Sequence, residues 1–439
     1  MTTQAETEFV CDCEKENRSA CTGEGFFREY EGKRYCVLHY PGQDKLGEFR
    51  AALEKKLRDR DFDFGEVWFP GEVDFSGFQF GEGVNFGDAT FKGEANFRGA
   101  IFSAPAFFAQ AKFNAEAHFY KATFGAEAKA DFHRATFSAI ANFDRTTFNS
   151  ATYTNFWGAT FSGEANFSRT IFNAGANFSR TIFKDYVRFT GSENNNVLGK
   201  NPALCFQFAR TEKPERVLFH TLHLHPHWFI NVECRKFEFS EVEWNYEIKE
   251  GVKRLGESQE TLEDLQVSIP HRLLAITYRQ LAVNAEENHR YREASRFRYN
   301  AFEARRIERF RGIVPLRLDW WYWLASGYGE SVGRAFIVFI ALIILFAFGY
   351  TRVGFEQSNK ATTAIAAQVP AASAVPPDTK GNPLGWKDAA IYAAYVSILQ
   401  KPEPKPLTRW AKSLVWLETV LGPAQAALFA LAARRRFMR

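Results

Sequence analysis

Ala95-Asn96-Phe97-Arg98-Gly99-Ala100-Ile101-Phe102-Ser103-Ala104-Pro105-Ala106-Phe107-Phe108 decides how the first half of this chain is read. Phe97, Phe102 and Phe108 stand five and then six residues apart, and Ala95, Ala100 and Ala106 each lie two positions before one of them. Followed outward, the pattern forms two series. One is Phe86, Phe97, Phe108, Phe119, Phe132, Phe143, Phe156, Phe167, Phe178 and Phe189. The other is Phe91, Phe102, Phe113, Phe124, Phe137, Phe148, Phe161, Phe172 and Phe183. Each has an 11-residue period, with a 2-residue slip near Lys129 and another near Tyr153. A fixed period of this kind predicts a solenoid in which every coil covers the face of the one before it. Such a repeat is a scaffold or a reader, and no catalytic centre is expected in it.

The Ala-x-Phe-x-x unit, carried through residues 62–190, resembles the pentapeptide-repeat family in its phenylalanine-centred form. The resemblance implies a mainly β solenoid, a right-handed quadrilateral β-helix, with the phenylalanines stacked inside and the alanines filling the corners. The five-six alternation points to a coil nearer 22 residues than 20. At ~4.8 Å per coil, about six coils make a rod of roughly 30 Å. Some members of the family imitate DNA with an acidic surface. Here acids such as Asp88, Glu94 and Glu164 are matched by bases such as Lys92, Arg98 and Arg169, and the whole chain carries only +4. No nucleic-acid partner is expected of so balanced a rod; a protein or ligand of unknown identity is.

A Gly/Asn-rich break at Gly191–Lys200 is followed by renewed alternation from Val217 to Trp244, so 191–256 reads as an insertion and irregular capping coils. His220, His223, His225 and His227 cluster there, and the alternation from Leu222 to His227 puts the last three on the outer face of one strand. Three imidazoles in a row suit zinc binding or pH sensing; a solvated strand face is the commoner state of such a pattern.

Residues 1–61 carry four of the six cysteines and no apolar leader. Cytoplasmic placement follows, and with it thiols that hold metal in preference to disulfides. Cys36-Val37-Leu38-His39 has the two-residue spacing of a zinc knuckle. The expected structural zinc set is Cys13, Cys21, Cys36 and His39, with Cys11 as the rival of Cys13. A Cys-x-x-His followed by a proline (Pro41) and a helix (Lys45–Leu57) resembles a short leader found ahead of some pentapeptide-repeat proteins.

Residues 257–312 read as a basic helical hairpin. Leu274, Tyr278 and Leu281 mark one helix; Ala294, Phe297, Ala301 and Phe302 mark the next. The pattern resembles a single tetratricopeptide-type unit, which needs to dock on the rod or on a sister subunit. Its second helix is rich in arginine, and Arg305, Arg306, Arg309 and Arg311 stand just ahead of the apolar region, where anionic lipid contact is expected.

Residues 313–439 carry the membrane signals. Trp320, Trp321, Tyr322 and Trp323 suit the headgroup level. Spans are predicted at 332–350 and 414–433, and the arginines flanking them place both termini inside, a two-pass protein of the cell's inner (plasma) membrane. Trp386–Gln400 is apolar but too short to cross and reads as a re-entrant helix. Span, re-entrant helix and span together resemble the two-transmembrane potassium-channel pore, and the resemblance implies a tetramer. Such a pore needs Thr-x-Gly-Tyr-Gly after its short helix so that backbone carbonyls replace the ion's water. This chain has Gln400-Lys401-Pro402-Glu403-Pro404-Lys405-Pro406 there; its Gly327-Tyr328-Gly329 precedes the first span and reads as a turn.

The expected pore and mouth residues are Glu418, Ser397, Lys401, Lys405 and Arg409, with potassium selectivity absent and, from the bases, a non-selective or anion-preferring mouth. Glu418 is either a buried functional carboxylate or one that reaches water at the outer turn. The leading expectation is an oligomeric, channel-like membrane protein whose cytoplasmic solenoid senses a partner. The alternatives are a non-conducting, membrane-anchored docking scaffold and a signal-opened effector that depolarises its own cell. No nucleophile–base pair or phosphate loop marks an enzyme.

Overall fold

The computed structural model describes residues 9–13, 21, 24–150, 153–191, 203–246, 271–308, 318–356 and 381–437. Two compact units divide it, Met1–Arg290 and Tyr291–Arg439.

The first unit is dominated by a β-solenoid of about 7 turns. Its strands are mostly two residues long and stack into four parallel sheets of five to eight strands. Ala95 pairs with Ala117, a coil of 22 residues; Ala117 pairs with Ala141 and Ala141 with Ala165, coils of 24; Ala165 pairs with Val187, again 22. The two slips each add their residues to one coil and the register then recovers. The first slip folds into a turn between Gly125 and Lys129; the second falls partly on residues 151–152, outside the described ones. Stacking continues past residue 190, because Val217–His220 pairs with Val187–Thr190 and Glu238–Ser240 adds a further strand.

Because one coil holds two 11-residue periods, each sequence series splits into two columns of rings. Phe97, Phe119 and Phe143 stack at 4.9 and 4.8 Å with interplanar angles of 5° and 2°. Phe108 and Phe132, from the neighbouring column, stack at 4.8 Å and 4°. Between these columns contacts are edge-to-face, as for Phe108 and Phe119 at 5.5 Å and 87°. Both geometries are favoured by the ring quadrupole, at about 0.5–1.5 kcal/mol per pair beyond area burial. Ala95, Ala100, Ala106 and Ala111, each two before a phenylalanine, have no exposed surface. Where threonine takes that place, its hydroxyl bonds a carbonyl of the preceding coil: Thr146 to Phe119 O at 2.6 Å and Thr170 to Phe143 O at 2.8 Å.

The turns explain the five-residue step. Ala89 N–H donates to Phe86 O at 3.2 Å, and Asp88 between them has φ 57°. A positive φ at the third position of such a turn is the type II geometry. The same conformation recurs at Gly99, Gln110, Lys121, Arg134, Arg145, Gly158, Arg169 and Arg180. At most of these turns an Asn or Asp ahead of the ring accepts from the backbone two residues on, as Asn142 does from Asp144 N–H at 2.9 Å, whereas Phe107 and His118 hold that place before Gln110 and Lys121. These Asx bonds hold long side chains in a region usually reserved for glycine. The six-residue step meets a different demand at Gly93, where a Cβ would come within 2.3 Å of the Glu72 backbone nitrogen.

Helix α1 (Leu46–Arg58) closes one end of the rod, with Phe49 edge-on to Phe69 at 5.4 Å. Helix α2 (His271–Glu287) closes the other. Its buried Asn284 donates to Arg235 O at 2.7 Å and Phe237 O at 2.6 Å. The expected hairpin is thus divided: its first helix caps the solenoid, and its second begins the other unit.

That unit contains α3 (Tyr291–Glu308), α4 (Leu318–Ser326), α5 (Val332–Tyr350), α6 (Trp386–Ser397) and α7 (Arg409–Phe437). Helix α5 has the bounds predicted for the first span, and α7 extends the predicted second span at both ends. Both are long and apolar enough to cross a membrane, yet only 17% of the most apolar stretch of each is buried within the chain. A core helix of a water-soluble fold would be mostly covered. Helix α6 ends at Ser397, one turn before the expected Gln400.

Candidate functional site

Chemistry-bearing side chains gather in three places. In the first unit, a short hairpin (Arg28–Tyr30 with Lys33–Tyr35) delivers the chain to the Cys36–His39 knuckle. Its turn uses Glu31 and Gly32, both at positive φ, as a two-residue type I′ hairpin requires. Cys11, Cys21, Cys36 and His39 place one ligand atom each within 4.8 Å of the others. Cys21 and Cys36 Sγ are 3.8 Å apart, and His39 Nδ1 is 3.1 Å from each. Two thiolates at ~2.3 Å from a tetrahedral zinc stand about 3.8 Å from one another, so the donor set fits that ion. His39 Nε2 faces Gly65 O at 3.0 Å, which fixes the tautomer with Nδ1 free to ligate. Lys45, wholly buried, bonds Val37 O and Leu38 O at 2.6 and 2.8 Å and holds the knuckle's shape. Burial pushes its ammonium down to about 7 against the pull of Cys36 and Cys11.

The set differs in one member from the sequence expectation: Cys11, the rival, lies in the cluster, and Cys13 lies beside it. Cys11 is buried and its Sγ accepts from Cys36 N–H at 3.4 Å, whereas Cys13 Sγ stands 3.9 Å from Cys21 Sγ and is half-buried. The two stand two residues apart, and the backbone bond from Cys36 N–H to Cys11 Sγ selects Cys11.

The histidine row is corrected by the structure. His223 is on a strand, but Pro226 opens a 3-10 turn over Pro226–Phe229 that takes the half-buried His227 off the strand. Proline has no N–H for a strand ladder and presets φ for such a turn. His223 pairs with Glu243 at 3.1 Å, and the His225 and His227 rings lie 5.1 Å apart. Burial, then the neighbouring His225, pushes His227 down to about 3. The three imidazoles therefore do not stand in one strand row.

In the second unit, Glu418 has no exposed surface. It accepts from the Tyr350 hydroxyl of α5 and from Ser397 Oγ of α6 at 3.1 Å. One turn on, Gly422 touches the same serine, since a Cβ there would fall 2.7 Å from Ser397 Cα. Tyr350, Phe355, Tyr392 and Val396 pack around this link. Glu418 and Ser397 are thus brought together, inside one protomer, and the carboxylate does not reach water at an outer turn. Gln425, also on α7, donates to Ala325 O at 2.7 Å and Ala335 O at 2.8 Å, bonding carbonyls at the α4–α5 junction.

Lys401 and Lys405 are exposed in the loop after α6, and Arg409 is exposed at the start of α7. The loop borders a cavity of about 670 Å³ whose wall also bears Glu356, Asp388 and Glu403, so the expected basic mouth is mixed in charge. At the other end of α5, Gly327, Tyr328 and Gly329 all have positive φ, and the Tyr328 ring is buried with its hydroxyl on Glu303 at 3.3 Å. This is the turn expected from the sequence. Arg305 is exposed; Arg306 is drawn onto Glu303 and over the Trp323 ring at 5.2 Å. Arg309 and Arg311 lie outside the described residues. Sequence reasoning missed Glu330. It accepts from Ser295 at 2.6 Å, Arg298 at 3.0 Å and Arg435 at 3.2 Å, joining α3, the turn and the end of α7. Its only signal was an acid following Gly-Tyr-Gly.

Residues 86–129 and 152–193 match the family of pentapeptide repeats in nine copies. No curated protein and no solved structure matches the chain.

Proposed function

We propose, for a chain that carries pentapeptide repeats, an oligomeric, channel-like integral membrane protein whose solenoid stands in the cytoplasm as a sensor or scaffold. One observation carries this reading. A 12-residue helix, too short to cross, is locked between two long apolar helices through Tyr350, Ser397, Glu418 and Gly422, while the outer faces of all three stay apolar and exposed. Phe336, Ile337, Leu345 and Phe348 on α5 and Trp416, Val420 and Leu421 on α7 suit lipid or neighbouring copies. A bonded carboxylate inside a span is tolerated where its partners satisfy it, and the bond to Ser397 supports reading α6 as a re-entrant element. Closure around an axis calls for a symmetric oligomer, and analogy with the two-transmembrane pore makes a tetramer the expected one. The rod is taken as the right-handed, four-sided coil of its repeats, with structural zinc at Cys11, Cys21, Cys36 and His39 and both termini cytoplasmic.

The proline-rich loop after α6 favours a second reading, a non-conducting anchor that presents the solenoid for docking, because no glycine is present to form a carbonyl filter. Planar-bilayer recording of the purified chain in asymmetric KCl separates the two. Channel function predicts discrete openings whose reversal potential moves toward cation preference in Lys401→Glu/Lys405→Glu. A silent bilayer with protein shown to be inserted supports the anchor.

A further inference from the structure

A cavity of about 580 Å³ lies in the second unit between the first turns of α3 and the last turn of α7. Arg292 and Arg296 reach it from α3, Arg435 and Arg436 from α7, with Ser295 and Glu330 on its wall. Arg292 and Arg296 are one helical turn apart and so share a face. Among the described residues, four guanidinium groups and one carboxylate thus line the hollow. That carboxylate is already engaged, since Glu330 accepts from Ser295, Arg298 and Arg435. Like charges gathered this closely repel, and an anion seated among them relieves the repulsion. The N-terminal end of α3, an 18-residue helix, adds the positive pole of its dipole to the same hollow.

We infer that this cavity is a binding site for a phosphate group, either the headgroup of an acidic phospholipid or a soluble phosphate compound. Guanidinium forks arriving from two helices suit an anion with three acceptor oxygens better than a planar carboxylate, which one arginine satisfies alone. The volume suits a small phosphorylated group. A ligand here bridges the arginine-rich helix and the end of α7, so it strengthens the link that Glu330 makes between them. The site stands apart from the question of conduction; only its lipid source rests on the membrane reading above.

The test uses the full chain in uncharged detergent micelles and two probes, a fluorescent phosphatidic acid and radiolabelled orthophosphate in equilibrium dialysis. Saturable binding of at least one probe is expected, weakened tenfold or more in Arg292→Gln/Arg436→Gln and left unchanged in Arg50→Gln, an exposed base on α1. Both arginines of the double variant are exposed, and gel filtration with far-UV circular dichroism checks that the variant keeps its fold. Lipid binding without orthophosphate binding assigns the headgroup; binding of both assigns the phosphate alone. Saturation by neither probe, or equal affinity in the double variant and the parent, overturns the site.

Discussion

The two units solve the same problem in opposite ways. In the solenoid each coil supplies the next with rings, backbone bonds and hydroxyl acceptors, so Phe86 to Phe143 in the first series are wholly covered by their own chain. In the helical unit the polar groups are the ones that are satisfied, through Glu418, Gln425 and Glu330, while Ile337 and Leu345 are left 68% and 63% exposed. A repeat can be its own solvent because stacking is open-ended. A few helices cannot enclose one another's apolar faces, and the uncovered remainder calls for lipid or further copies. Cohesion therefore rests on apolar stacking in one unit and on a few polar clamps in the other.

The comparison is broken most directly at Phe132, which stacks on Phe108 and Phe156 and meets Phe119 and Phe143 edge-on. Phe132→Ala should cost about 3–5 kcal/mol and lower the solenoid's melting temperature by on the order of 10 °C, with the helical unit unaffected. Infrared melting, which separates β from helical signal, reads this; a joint loss of both units would show that they fold as one. Next in size, Glu418→Ala strands the Tyr350 and Ser397 hydroxyls and should lower helical stability in detergent by about 2–4 kcal/mol, with Glu418→Gln milder because its amide oxygen still accepts. An unchanged helical melt in Glu418→Ala would remove the clamp.

Metal removal is expected to have a smaller, local effect. Cys36→Ser, or a strong chelator, should abolish bound zinc measured by plasma mass spectrometry and lower the first-unit transition by about 5 °C. Cys13→Ser should retain the metal and Cys11→Ser should lose it; the reverse result would restore Cys13 to the set. The smallest effect concerns acid. His227 is held neutral when folded, down to about pH 3, and titrates near its ordinary value of 6.5 when unfolded. Between those values the unfolded chain binds the extra proton, so stability is fully present above pH 6.5 and falls as the pH drops toward 3. His227→Gln should flatten that fall by a few degrees of melting temperature between pH 7 and pH 4.5, and an identical slope would exclude the residue as its source.

Much of the solenoid was legible because its information is local. The coil length follows from the interval between phenylalanines, and α5 follows from an uninterrupted apolar run. The left-handed turns were not legible, since Lys121, Arg134 and Arg145 occupy positions where glycine is expected, and Asx bonds accepted by Asp131 and Asn142 support only the last two. Nor was the turn at His227, because alternation from Leu222 onward outweighed the proline that ended it.

The sequence by itself determined the period, the coil, the knuckle spacing and the two apolar helices, all properties of residues close along the chain. Only the tertiary structure decided that Cys11 replaces Cys13 beside His39, that Glu418 faces inward to Tyr350 and Ser397, and that arginines 140 residues apart, Arg296 and Arg436, line one cavity. Those choices depend on which distant backbone donor, hydroxyl or charge completes a group, and a one-dimensional pattern carries no term for a partner that arrives from elsewhere in the fold.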